Sequence, residues 1–236
     1  MRFFSCFAAI LFVGTASAQD RSRDKEIALG QQLAREFRTH ATPFDDAEVA
    51  AYFRDTAARL APEFPDGWPY QVEVVRENTG GALHEPATFP GGPVFVSVEL
   101  LAEARNEAEF AGILAHAMAH IADRHGRVQI GQGPIVFMSG DSSLLPLGMR
   151  PAQRASENRA DDLAENALSA AGYDPAGLAS YLKRVQPPAT PNQVGATLPD
   201  REQRVAAILA AIAKLPPREY QTDDQFVRMQ LLLKAH

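Results

Sequence analysis

His116 and His120 stand four residues apart in the run Leu114-Ala115-His116-Ala117-Met118-Ala119-His120. On a helix that spacing projects both imidazoles from one face, within reach of a single metal ion. Two histidines on an Ala-rich helix also suit hydrogen-bonded core or surface positions, so the pair alone leaves both readings open. A second pair, Glu157 and Asp161, repeats the spacing in Glu157-Asn158-Arg159-Ala160-Asp161. It offers one carboxylate to a metal and another to hold a ligand histidine from behind. The further acids Asp162 and Glu165 keep a solvated acidic face as the alternative. Elsewhere, His125 fits a structural role near a helix end, where a cationic imidazole is favoured. His40, His84 and His236 read as surface histidines, and Glu77, Glu85 and Glu99 as ordinary solvated acids. Trp68, in a Pro/Gly-rich loop, reads as packing over the core more than as a binding anchor.

The elements that must position these side chains follow from periodicity. Apolar residues at helical spacing mark amphipathic helices over Asp24–Arg38 and Asp45–Leu60, and the Pro62, Pro65, Gly67 and Pro69 cluster ends the second. Tyr70 to Val75 alternates as a strand does, and Pro93–Val98 suits a second strand. Glu99–Arg127 reads as the histidine-bearing helix, broken near Asn106, with Phe110, Ile113, Leu114, Ala117 and Ile121 as its apolar stripe. Residues 131–150 hold four glycines, two prolines and little charge, which suits an irregular connection or a lid. Helix resumes over about Ala152–Ala171, stops at Gly172 and restarts at Asp174-Pro175, a pair suited to a helix start. Two more helices are expected over Asp200–Lys214 and Asp223–Lys234. Helices with few strands imply a single α+β domain.

The chain's 236 residues, 46% hydrophobic and 22% charged, can bury a sizeable core, which argues against disorder and coiled coil. Lys plus Arg number 23 against 29 Asp plus Glu, a net charge of −6, so nucleic acid and anionic membrane surfaces are poor partners. Residues 1–18 combine Arg2, an apolar run from Phe3 to Val13 and the small-x-small site Ala16-Ser17-Ala18, as a cleaved signal peptide would. Export to the periplasm or the medium is therefore expected, with a mature domain over 19–236. Cys6, the sole cysteine, falls inside that segment, which leaves no disulfide framework or thiolate site. No later stretch is apolar for long enough to span a bilayer, so no transmembrane span is expected after cleavage.

The ordered set of motifs resembles the HtpX and CAAX-prenyl-protease family of gluzincin zinc peptidases, especially its exported single-domain bacterial members. The likeness begins at Lys25-Glu26-Ile27-Ala28-Leu29-Gly30 and runs through Phe89-Pro90-Gly91-Gly92 and Asn106-Glu107-Ala108-Glu109-Phe110-Ala111-Gly112. It continues through the two histidines, Arg124-His125-Gly126 and Glu157-x-x-Ala160-Asp161 to Ala171-Gly172-Tyr173-Asp174-Pro175 and Arg204. The resemblance implies a mainly helical zincin-like domain with a small sheet beside the active-site helix. It also implies one zinc ion per chain on His116, His120 and Glu157, Asp161 orienting a ligand histidine, and Arg204 supporting the site. Two histidines and one glutamate leave a fourth position for water, as a catalytic zinc requires.

At three places the chain departs from that family. The family's helix reads H-E-x-x-H, and its glutamate is the general base toward the zinc-bound water; here that position is Ala117. The family's late T-H-P segment is Thr197-Leu198-Pro199. Its edge strand, approximately N-A-F-x-x-P-G-G, corresponds to Glu85-Pro86-Ala87-Thr88-Phe89-Pro90-Gly91-Gly92, and Pro86 offers no N–H to an added peptide strand. Independent losses in one cleft imply a relaxed site: a weakly active or inactive peptidase homologue that binds polypeptide or an envelope partner. The alternative is an active zinc metalloendopeptidase of envelope proteins that relies on zinc-bound hydroxide or a displaced carboxylate, for which Glu85 is the candidate.

Overall fold

Helix α1 (Ala18–Arg38) leads to a short strand β1 (Thr42–Pro43) and helix α2 (Ala47–Leu60). Strands β2 (Gln71–Arg76), β3 (Ala87–Thr88) and β4 (Pro93–Ser97) follow, then helices α3 (Val98–Glu103) and α4 (Glu107–Ala122). After the two-residue strands β5 (Val128–Gln129) and β6 (Ile135–Val136) the chain is helical: α5 (Arg150–Ala171), α6 (Ala176–Val185), α7 (Arg201–Ile212) and α8 (Gln225–Ala235). The computed structural model describes residues 18–76, 85–123, 128–129, 135–136, 150–186, 199–220 and 222–235. The architecture is α+β and mainly helical, as the sequence implied.

The larger sheet has the order β1-β2-β4-β3. Its centre is the parallel pair β2 and β4, with Val72 opposite Val94 and Val74 opposite Val96. Strand β3 pairs antiparallel with β4 at the sheet edge, through Ala87 opposite Phe95 and Thr88 opposite Val94, and it lies against α4. Pro86 is buried immediately before that edge strand. Helix α1 reaches the turn between β3 and β4, where a Cβ at Gly30 would fall 1.7 Å from the carbonyl oxygen of Pro90. Two motifs that are distant in sequence thus meet, and only a residue without a side chain allows the approach.

The expected break near Asn106 is a capped helix start. Asn106 adopts extended backbone angles, and its side chain accepts from the N–H of Glu109 at 2.9 Å. Glu109 reaches back past the cap to accept from the N–H of Arg105 at 3.0 Å, a variant of the capping box. This carboxylate is fully buried and also accepts from Ser180 Oγ and Arg184 Nη2, both at 2.7 Å, which fixes the start of α4 against α6. Burial pushes the Glu109 pKa up, but these donors more than reverse the effect and hold it below its ordinary value.

Helix α4 is buried along almost its whole length and packs against α5 and α6. Phe110 meets Phe53 edge-on and stacks with Tyr52, joining α4 to α2. Trp68 is 3% exposed within the same core, with the Arg23 guanidinium 4.4 Å from its ring centroid, so it packs as the sequence reading held. The C-terminal segment fastens onto this assembly: the N–H of Asp223 donates to Glu107 at 2.9 Å, and Arg218 donates to the carbonyl of Ser169 at 3.0 Å.

Several boundaries differ from expectation. Helix α1 starts at Ala18, earlier than the apolar spacing marks, because its first turns are polar but contain good helix formers. Helix α5 starts at Arg150, with Pro151 in the first turn, where a missing N–H costs nothing. Within the 131–150 stretch, Ile135–Val136 pair antiparallel with Val128–Gln129. The rest of that proposed lid before Arg150 lies outside the described residues, as do the expected signal segment before Ala18, Glu77, His84, His125, Leu198 and His236.

Candidate metal centre

The two histidine rings of α4 lie 4.6 Å apart between centroids and nearly perpendicular, with their Nε2 atoms separated by 3.0 Å. Glu157, on α5, brings Oε2 to 3.3 Å from His116 Nε2 and 3.6 Å from His120 Nε2. Three ligand-type atoms thus form a small triangle. Zinc bonds of 2.0–2.1 Å in a tetrahedron separate neighbouring ligands by about 3.3–3.4 Å, which the three distances bracket. The donor set of two imidazoles and a carboxylate also suits zinc chemically, so the residues fit such an ion.

Asp161 lies one turn after Glu157 on α5 and places Oδ1 2.9 Å from His116 Nδ1. This contact is to the ring nitrogen that lies outside the ligand triangle. Asp161 is gripped from its other side by Arg204 of α7, whose Nε and Nη2 donate to Oδ2 at 2.7 Å and Oδ1 at 2.9 Å. Nη2 also lies 3.3 Å from His116 Nε2 and 3.5 Å from Glu157 Oε2.

The acidic-face alternative is overturned by burial: Glu157 is 4%, Asp161 3% and Glu165 1% exposed. Of the four acids, only Asp162 faces solvent. Burial pushes the Glu157 and Asp161 pKa values up, but His120 and His116 in the first case and Arg204 in the second hold them below their ordinary values. Burial pulls His116 down, yet Asp161 and then Glu157 raise it to about 10. The pocket therefore favours positive charge at the position where a cation would bind, and a metal would have to displace a proton.

The sequence reading missed the burial of one polar group beside this centre and the contact of another. Glu165, one turn beyond Asp161, has Oε1 buried without a hydrogen-bond partner, and burial together with Asp161 raises its pKa to about 8. Gln186, at the end of α6, accepts from Arg204 Nη1 at 3.1 Å. No local spacing could have revealed Gln186, whose contact with Arg204 depends on how α6 and α7 pack. Ala117 follows His116 in the same helix and is 3% exposed. His40 is exposed and distant in sequence from these elements.

The model of peptidase family M48 matches residues 43–212. The beta-barrel assembly-enhancing protease of Escherichia coli (strain K12) is 21% identical over 243 aligned residues, covering 91% of this chain and 49% of the relative. That of Yersinia pestis is 23% identical over 198 residues, 73% of this chain and 40% of the relative. The mitochondrial metalloendopeptidase OMA1 of Schizosaccharomyces pombe is 31% identical over 143 residues, 55% of this chain and 41% of the relative. The chain spans about half the length, or less, of these curated relatives.

Proposed function

The chain belongs to peptidase family M48, and from that premise we propose a metallopeptidase-like envelope protein that keeps a zinc site but lacks the family's general base. In this reading His116, His120 and Glu157 hold one zinc ion per chain, Asp161 orients His116, and Arg204 holds Asp161. The observation that carries it is the spacing of the three ligand atoms at 3.0, 3.3 and 3.6 Å, beside a methyl group at position 117.

Zinc held there would supply Lewis acidity toward a peptide carbonyl and acidify a water molecule. What this chain's own residues supply is narrower. The α4 and α5 side chains orient a cation, and Arg204 keeps a fixed charge beside it. The Ala117 methyl accepts no proton, so the chain forgoes a contribution usually worth about 10² to 10⁴ in rate. Weak or absent peptidase turnover follows, with polypeptide or a partner protein of the envelope bound at the cleft. The names of the relatives, two of them proteases that enhance beta-barrel assembly, support a polypeptide as the bound class. Residues 1–18 act as a cleaved signal peptide, leaving a mature single domain that starts at Gln19 in the periplasm or the medium. Among the described residues no helix is long and apolar enough to cross a membrane.

A second reading, an active metalloendopeptidase with a displaced carboxylate, has one observation in its favour. Burial pulls the Arg204 guanidinium down, but Asp161, Glu157 and also Glu85 push it up, so the Glu85 carboxylate lies within electrostatic reach of the pocket. One assay separates the two. Native protein, Ala117→Glu and Glu85→Gln are compared on an unfolded polypeptide, with zinc content measured on each. The first reading expects stoichiometric zinc in all three, negligible cleavage by the native chain and a gain in Ala117→Glu. Robust, chelator-sensitive cleavage by the native chain that is lost in Glu85→Gln would establish the second.

A further inference from the structure

Arg204 is 2% exposed and uses opposite sides of its guanidinium for different partners. The Nε and Nη2 edge closes on Asp161, while Nη1 donates to Oε1 of Gln186 at 3.1 Å. Gln186 in turn donates from Nε2 to the carbonyl of Pro199 at 2.8 Å, just before α7. Its backbone N–H donates to the Leu182 carbonyl at the end of α6, and its own carbonyl accepts from Arg201 Nη1 at 3.3 Å. The residue is thus held by its backbone on α6 and by its side chain on α7 and the entry to it.

We propose that Gln186 is a positioning residue of the metal centre, acting on the ligand triangle through Arg204, which it helps hold against Asp161. The inference rests on the metal reading of the site. A neutral amide can accept from a guanidinium at one end and donate to a carbonyl at the other, which neither a methyl-ended nor a charged side chain does. Its orientation is set by those partners, because its oxygen facing Pro199 O would oppose two acceptors. The guanidinium is planar and rigid, so fixing Nη1 fixes Nη2 as well. Nη2 is the atom that matters, at 3.3 Å from His116 Nε2 and 3.5 Å from Glu157 Oε2. Held where it is, it grips Asp161 from the margin of the pocket. Released from Gln186, the guanidinium can turn about its Asp161 contact and bring a permanent positive charge closer to Glu157, where it competes with a cation. Loss of Gln186 would also leave a buried donor on Nη1 unpaired, adding a reason for Arg204 to seek Glu157.

The test is cobalt(II) binding to the full chain, followed by visible absorption and competition with a chelator, with thermal unfolding of the metal-free protein alongside. Gln186→Met keeps the length and removes both hydrogen bonds, and it is expected to weaken cobalt binding by about 10-fold, the lower end of losses from groups behind a ligand. Gln186→Glu keeps the acceptor for Nη1, replaces the donor to Pro199 by an acceptor and adds a negative charge that pairs with Arg204, so its affinity should stay within about threefold of native even where its melting temperature falls, the Arg204 contact being retained. In an Asp161→Asn background, Gln186→Met should cost less than about twofold, because Arg204 has already lost the carboxylate that holds it away from Glu157. A purely structural role would lower stability in both backgrounds and shift neither the cobalt spectrum nor the affinity. Should the Met variant not fold, Gln186→Asn, too short to span both partners, is compared with Gln186→Glu, and equal affinities overturn the proposal. Native affinity in Gln186→Met, or an equal loss in both backgrounds, overturns it as well while leaving the metal reading intact. Native protein that binds no cobalt overturns both.

Discussion

At the scale of single residues, the site rests on charges that only burial makes consequential. Asp161 is not in the ligand triangle, yet it lies between His116 and the Arg204 fork. Removing its side chain in Asp161→Ala should weaken zinc binding by about 10- to 100-fold, measured by competition with a chromogenic chelator, whereas His116→Ala or His120→Ala should abolish stoichiometric zinc. Glu165 makes a different prediction. Its carboxyl is buried, lacks a partner for Oε1 and titrates at about 8 in the folded chain against an ordinary 4.5. A raised folded pKa means that the folded state keeps a proton which the unfolded state has lost. Stability is therefore full below about pH 4.5 and falls as pH rises toward 8, by up to about 1.4 kcal/mol per pH unit from this one group. Glu165→Gln should flatten that part of the profile in urea titrations between pH 5 and pH 8 and stabilise the chain at the upper end. An unchanged slope would mean that Glu165 ionises at its ordinary value. The sequence could show the acid but not its burial, because the α5 face that carries it is closed by packing, which leaves no local pattern.

At the scale of elements, what was legible and what was not divide along range. The four-residue spacing of His116 and His120 prescribes a shared helix face, a local signal that α4 bears out, while the break expected near Asn106 is the cap at which that helix starts. Strand β3 is two residues long, too short for alternation to announce it, and only the family resemblance marked an edge at that point. The grip of Arg204 on Asp161 spans 43 residues and its contact with Gln186 spans 18, so neither follows from periodicity. The α4 and α6 contact is likewise long-range, but glycines betray it. A Cβ at Gly177 would fall 2.2 Å from the carbonyl of Ala108, and one at Gly112 would fall 2.8 Å from the N of Leu178. Both clashes are with backbone, which cannot rotate away. Gly177→Ala should therefore destabilise the chain by about 1–3 kcal/mol in denaturant titrations, as overpacked cores do. Since α4 carries both histidines and must shift to relieve the clash, zinc affinity should fall with it. Unchanged stability would mean that the two helices are not so closely apposed.

At the scale of the whole molecule, the candidate centre joins elements that the chain keeps far apart. Two ligand atoms come from α4 and one from α5, while α7 reaches the same point through Arg204. The C-terminal segment ties onto the two ligand-bearing helices, through Asp223 to Glu107 and through Arg218 to the end of α5. A cation at the centre would therefore tie α4 to α5, and its binding free energy would appear as folding free energy because the unfolded chain has no assembled site. At free zinc about 1,000 times the dissociation constant the gain is about 4 kcal/mol. For a domain of this length, each kcal/mol moves the midpoint of unfolding by roughly 2–4 °C, so saturating zinc should raise it by roughly 8–16 °C over chelator-treated protein. Calorimetry of native protein with and without zinc reads this directly, and the shift should vanish in His120→Ala and shrink in Asp161→Ala. Because the effect depends on binding alone, it should appear in full even if Ala117 leaves the chain without turnover. Zinc bound with no rise in the midpoint would place the ion elsewhere, on a site that the unfolded chain offers equally well.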